Sequence, residues 1–412
     1  MSSVNKVSIE ATCTTPFPVA PLAAGSAEGP SVLFVDQSGQ LGGAELSLLP
    51  LVTMLATRRE VLLLTDGPFR QRLESMDVTV HLTIDDRVAR INKDAVHLSW
   101  LFALPGIVRQ IQAIARHARR FDILFLNTQK ALVLGALGKP LHRRKIVWHL
   151  RDIMSPDHFG PLQRLVVKWA TRYAVDYIVA NSHATAAALA DLIKCDPSAV
   201  PVVYNGVDAG EFDQVDDQRT KEVRRLLNLA DDTRLVGLFG RIAPWKGQHV
   251  AIDALAQIPG LHLVLVGSAL FGEQAYEKSL REQAVRLGIE DRVHFAGFQD
   301  DMPQWMRAVD MVLHTSTVAE PFGRVIIEGM AAGRPVIAAA AGGVVEILQH
   351  HENGWLVSPG DATALAEAIE ALYADPGLAQ RLAAKGLINV KRDFSLNAYI
   401  AQMNKVIRGI EY

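Results

Sequence analysis

The chain alternates short β-rich runs with helical stretches, and it does so in two successive series. "SVLFVD" (31–36), "EVLLLT" (60–65), "DVTVHL" (77–82), "DILFLN" (122–127), "KIVWHL" (145–150) and "DYIVAN" (176–181) read as strands. A second series follows: "RLVGLFG" (234–240), "HLVLVG" (262–267), "RVHFAG" (292–297), "DMVLHT" (310–315) and "PVIAAA" (335–340), with helices expected over 247–257, 273–287 and 323–332. Strands this apolar, separated by helices, need a parallel sheet covered on both faces. Between the series, "VVYNGVDAGEFDQVDD" (202–217) is rich in turn formers and acids and marks a boundary. The pattern predicts an α/β protein of two parallel-sheet domains, which 412 residues can supply with a core each.

Composition excludes several alternatives. Two cysteines, Cys13 and Cys195, cannot frame a disulfide scaffold, and a reducing cytoplasm fits them best. No apolar run approaches the roughly 20 residues that span a bilayer. Residues 1–29 hold Ser, Thr, Pro, Ala and Gly without a basic segment ahead of an apolar one, and read as a disordered leader.

The net charge of -2 hides an uneven distribution. Between Arg87 and Arg172 the chain carries 16 Lys and Arg against four acids. "IVRQIQAIARHARR" (107–120) sets Ile107, Ile111 and Ile114 at helical spacing beside Arg109, Arg116, Arg119 and Arg120, and "KPLHRRK" (139–145) adds a second cluster. This is either a solvated face or a contact with an anionic membrane surface. Nucleic acid is disfavoured, because no recognisable binding motif or aromatic platform accompanies the charge.

Open α/β sheets bind ligands beyond the carboxyl ends of their strands. Those ends carry Gly42, Gly43, Asn127 and His149 in the first half. In the second they carry Gly240, Arg241, Lys246, Gly267 and "EPFGRVIIEGMAAGRPVIA" (320–338). Glu320 falls on the loop after "DMVLHT", and a helix begins near Phe322 or Gly323. Its N-terminal N–H groups attract phosphate, and Gly323 permits close approach. Glu328, about a turn and a half along, can accept from ribose hydroxyls while Glu320 binds sugar hydroxyls. Arg241 and Lys246 would set two cations beside a leaving diphosphate. Taken singly, each also reads as an ordinary helix-start acid, surface residue or basic loop.

Together these residues resemble glycosyltransferase family 4, the large GT-B family of retaining enzymes that use nucleotide sugars. The Arg…Lys pair and the two glutamates separated by seven residues correspond to Arg241, Lys246, Glu320 and Glu328, while "PFGRVIIEGMAAGRPVIA" and "NGVD" (205–208) also look like family segments. The resemblance covers nearly all of residues 30–410. It implies that Arg241 and Lys246 stabilise the departing nucleoside diphosphate, with backbone groups of Phe322, Gly323, Arg324 and Val325 completing the cradle. Glu320 would orient the donor sugar and Glu328 the ribose; Gly42 and Gly43 resemble the glycine loop that approaches the donor phosphates. His149, in "WHLRD", resembles the family histidine that contacts the donor sugar near the reacting carbon.

The resemblance also implies an acceptor domain over 30–208, a donor domain over 209–392, and a helix in 393–412 that packs back on the first domain. Transfer would proceed with retention from a UDP- or GDP-sugar to a glycan or lipid-linked acceptor, as in cell-surface polysaccharide assembly, at the inner face of the membrane. No Asp-x-Asp triplet and no Cys/His cluster occur, so neither metal nor other cofactor is expected. A nucleotide-sugar epimerase, a phosphorylase and a non-catalytic nucleotide-sugar binder share the architecture. A dinucleotide oxidoreductase fits less well, since "GQLGGAE" lacks the G-x-G-x-x-G order.

Overall fold

The structure is a computed structural model that describes residues 29–85, 99–270 and 272–410. Nearly all of the expected leader and the whole basic stretch from Arg87 to Asp94 lie outside the described residues. The first sheet contains β1 (Val32–Asp36), β2 (Arg59–Leu63), β3 (Val80–Leu82), β4 (Ile123–Leu126), β5 (Lys145–Leu150) and β6 (Tyr177–Ala180). The second contains β7 (Leu235–Phe239), β8 (His262–Val266), β9 (Val293–Gly297), β10 (Met311–His314), β11 (Val336–Ala339) and β12 (Trp355–Val357). Every strand pair is parallel. The spatial orders are β3-β2-β1-β4-β5-β6 and β12-β11-β10-β7-β8-β9, the same doubly wound topology twice.

Eleven of these strands fall where the apolar runs lie. The twelfth does not: β12 has three residues behind a turn closed by His350 and Gly354, too short for any periodicity to register.

The strands are buried on both faces because helices cover both. One face of the first sheet packs Leu124, Ile146 and Trp148 against helices Ser99–Ala118, Gln129–His142, Pro161–Tyr173 and His183–Ile193. The other packs Phe34, Phe125 and Val179 under helix Gly43–Met54 and, from the far end of the chain, helix Leu396–Arg408. That last helix buries Tyr399, Ile400, Met403 and Ile407 in the first domain's core. Fully burying a side chain of this kind contributes roughly 1.5–3 kcal/mol of transfer free energy, so the chain's end is firmly tied to its beginning.

Two segments cross between the sheets, and they are bonded to each other. Val207 N–H donates to Phe394 O at 3.0 Å, and Leu396 N–H donates to Val207 O at 3.0 Å. The connection therefore has two hydrogen-bonded strands rather than a single linker.

Candidate active site

In a doubly wound sheet the crevice opens where strand order reverses, between the first strand and the one that starts the opposite half. In the second sheet that place is between β7 and β10, which are direct neighbours. Arg241 and Lys246 come from the loop after β7, and Glu320 from the loop after β10. The two loops are joined by backbone and hydroxyl contacts: Thr315 Oγ1 donates to Lys246 O and Gly247 O, each at 2.9 Å, and Thr317 N–H donates to Trp245 O at 2.9 Å. Gly343 N–H donates to Glu320 O at 2.8 Å and fixes the acid's backbone from the β11 side.

The Glu320 carboxylate is nearly buried, and both of its oxygens are held. Lys246 Nζ donates to Oε1 at 2.6 Å. His314 Nε2 and Ser316 Oγ reach Oε2 at 2.6 and 2.7 Å. An ionised carboxylate only accepts, so the proton of His314 sits on Nε2. Burial by itself would raise the Glu320 pKa, but the Lys246 charge, with His314, outweighs it and holds the carboxyl well below its usual range. About four acceptor positions exist on such a group and three are used, which leaves one for a sugar hydroxyl. His314 and Ser316 were not singled out in the sequence. Their only signal was the polar ending of an otherwise buried strand.

Arg241 stands nearby, with its guanidinium carbon 5.8 Å from the Trp245 ring centre, and the Lys246 ammonium lies 4.4 Å from the same ring. Burial lowers the Arg241 pKa while Glu273, Glu45 and Glu320 support its charge. Glu45 belongs to the first domain, and it supports the Arg241 charge only when ionised. Helix Arg324–Ala331 begins at the same edge, with Gly323 before it at φ 93°, a left-handed conformation that suits glycine. The side chains of Phe322 and Val325 pack into the core, so their route to a ligand is the backbone. Glu328 accepts from Arg324 Nε at 2.5 Å, and Arg324 Nη1 lies 3.4 Å from Ser47 Oγ of the first domain.

The first domain presents its own reversal point, between β1 and β4. Asp36 ends β1 and accepts from Asn127 Nδ2, just past β4, at 2.6 Å. Arg151 continues the chain of contacts to Asn127 Oδ1 at 2.7 Å and Asn205 Oδ1 at 2.9 Å. Gly42 N–H donates to Glu45 Oε2 at 3.0 Å, so the acid holds the glycine loop from behind. A Cβ at Gly43 would meet nothing within 4 Å, so the glycine leaves open space at the loop. Burial, reinforced by Asp36, pushes the Glu45 pKa up to about 8. A neutral Glu45 does not repel an approaching diphosphate.

His149 lies near the end of β5, fully buried, edge-on to Phe125 with ring centres 5.8 Å apart. Neither ring nitrogen has a hydrogen-bond partner among the described residues. Burial, with Arg151 adding to it, lowers its pKa well below the usual histidine value, so the imidazole is neutral. The structure thus brings Lys246 and Glu320 into contact, with Arg241 close enough for the Glu320 charge to be felt, while His149 stays within the first sheet.

Contacts between domains hold the two crevices face to face. His158 Nε2 meets Ala319 O at 2.9 Å, beside Glu320. Glu346, from the second domain, accepts from the first-domain N–H groups of His183 and Ala184 at 2.8 and 2.7 Å, and from Tyr204 Oη at 3.0 Å. A carboxylate at the start of a helix satisfies N–H groups that lack intrahelical partners. Among the described residues no group of three or more His, Cys, Asp or Glu is arranged to hold a metal ion.

Two facing Rossmann-like domains define the GT-B class. The model of "Glycosyl transferases group 1" matches residues 219–387 and that of "Glycosyltransferase Family 4" residues 41–211. Anabaena HepE, solved with UDP-glucose, is 37% identical, with a TM-score of 0.82 over 91% of this chain and 98% of HepE. The chain belongs to the group 1, family 4 glycosyltransferases. The lipopolysaccharide core biosynthesis glycosyltransferase LpsE of Rhizobium meliloti is 35% identical over 54% of this chain and 61% of its own length. The D-inositol 3-phosphate glycosyltransferase of Mycobacterium marinum is 31% identical over 56% of this chain and 50% of its own. The chain spans half to three-fifths of these two curated relatives.

Proposed function

We propose that the chain is a retaining, metal-independent glycosyltransferase that moves a sugar from a nucleoside-diphosphate donor to a glycan or lipid-linked acceptor, in cell-surface polysaccharide assembly at the inner face of the membrane. The observation that carries this reading is the Lys246–Glu320 contact at the β7/β10 crevice, with Arg241 beside it. UDP is the favoured nucleotide because HepE was solved with UDP-glucose and with UDP. Arg241, Lys246 and the start of helix Arg324–Ala331 supply the positive charge that a bound metal would otherwise bring to the leaving diphosphate. Glu320 orients the donor sugar, Glu328 the ribose, and neutral His149 lies on the acceptor-domain side. Catalysis then rests on positioning and on electrostatic stabilisation of the leaving group, not on a protein nucleophile.

The test is proton NMR of the sugar released when UDP-glucose is slowly hydrolysed in the presence of chelator, read before mutarotation. An initial α anomer supports retention without metal. An initial β anomer, or a requirement for added divalent ion, contradicts it.

A further inference from the structure

Helix Pro161–Tyr173 carries apolar side chains on two sides. Val167 and Ala170 face the core. On the opposite side Leu162, Leu165, Trp169 and Tyr173 form a continuous stripe, 53, 62, 39 and 69% exposed. A surface helix normally turns polar residues outward, so an outward stripe of this size calls for an occupant. Of its three basic residues, Arg164 is half-buried and the exposed Lys168 and Arg172 flank the stripe.

The neighbouring helices extend the same face. Helix Gln129–His142 exposes Leu137 and Leu141, and helix Ser99–Ala118 exposes Leu104 and Val108. No Asp or Glu occurs in any of the three helices. Arg116, Arg143, Lys168 and Arg172 are exposed around the patch, and Asp176 close by is already paired with Lys139 and Lys145.

We infer that this three-helix face docks on an anionic lipid surface, with the Leu162–Tyr173 stripe lying among the headgroups. Apolar stripe, Trp169 within it and Tyr173 at its end, and flanking cations match an interfacial bilayer contact on each count. A second copy of the chain is disfavoured as occupant, because a symmetric contact would bring like charges together. The placement also serves the cleft: Leu162 follows the loop in which His158 touches Ala319, so the stripe begins at the cleft rim. The inference rests on the proposed lipid-linked acceptor, which would reach the site directly from the headgroup layer.

Co-sedimentation with vesicles of equal parts phosphatidylglycerol and phosphatidylcholine, against phosphatidylcholine alone, tests it. The protein should pellet with the anionic vesicles at low salt and be released at high salt. The double variant Leu165→Glu, Trp169→Glu should lower partition by about tenfold or more. Lys168→Ala with Arg172→Ala should cost about fivefold per cation. An unchanged UDP thermal shift in both variants verifies that fold and donor site are intact. If the glycosyltransferase reading fails instead, the UDP shift is missing from every form while the vesicle result stands. Failure of the wild type to bind anionic vesicles, equal binding by the variants, or a dimer in sedimentation velocity that Leu165→Glu dissociates, overturns the inference.

Discussion

Replacing Lys246 with Met removes one half of a nearly buried ion pair and leaves the other half in place. Glu320 is held at 2.6 Å by Lys246, and its side chain is only 11% exposed. Removing one partner from a buried pair costs about 3–5 kcal/mol, because the remaining charge has lost its compensation. His314 and Ser316 still donate to Glu320, which puts the expected loss near the lower end, about 3 kcal/mol. For a domain of this size that corresponds to a fall of roughly 6–12 °C in Tm. The cost depends on pH with a definite sign. Glu320 has a depressed folded pKa, so its stabilising contribution is present above the ordinary carboxylate value and is lost as pH falls through the folded one. Without Lys246 that folded pKa rises, so the variant's deficit should be large at neutral pH and shrink in acid. Adding Glu320→Gln, which keeps an acceptor for Ser316, should restore part of the Tm. Differential scanning fluorimetry of the wild type and the two variants between about pH 4.5 and about pH 8, from the carboxylate range to neutral, provides the assay. A loss below about 1 kcal/mol, a pH-independent deficit, or a double variant weaker than Lys246→Met would refute the account of Glu320 as a charge held by Lys246.

Three further outcomes follow from the geometry. Gly323→Ala places a Cβ at φ 93° and 2.8 Å from Ile326 Cδ1, so about 1–2 kcal/mol of strain is expected, with weaker UDP binding by calorimetry; unchanged affinity would separate this loop from the donor. Between about pH 4.5 and 8 the folded protein keeps on Glu45 a proton that the unfolded chain has released, so stability falls as pH rises, by at most about 1.4 kcal/mol per unit. Glu45→Gln should flatten that slope in Tm-against-pH curves, and an unaltered slope would assign it to another group. Glu346→Ala should loosen domain closure, visible as a larger radius of gyration by small-angle scattering without nucleotide; superimposable curves would show the clamp to be dispensable.

The strands were legible because each is an apolar run bounded by polar turns, and with them came both reversal points. Arg241, Lys246 and Glu320 were legible for the same reason, since each sits just past a strand end. What could not be read is what depends on chain segments meeting from far apart. Glu346 caps a helix 163 residues earlier, and no local pattern announces it. Glu45 reads as an ordinary first-turn acid until the fold buries it near the Asp36 charge. His314 is hidden within a strand that its neighbours already explain. Pro161–Tyr173 has two apolar faces in sequence, and only the packing decides that Val167 and Ala170 turn inward while Trp169 turns outward.

The central claim, a nucleotide-sugar site built on Arg241, Lys246 and Glu320, is tested most directly by isothermal titration of UDP, GDP and ADP into the chelator-treated protein and its Arg241→Ala variant. The account predicts binding of UDP in preference to the others without metal, and its loss or marked weakening when Arg241 is removed. Equal binding to the Arg241 variant, or no binding of any nucleotide by the folded wild type, would contradict it.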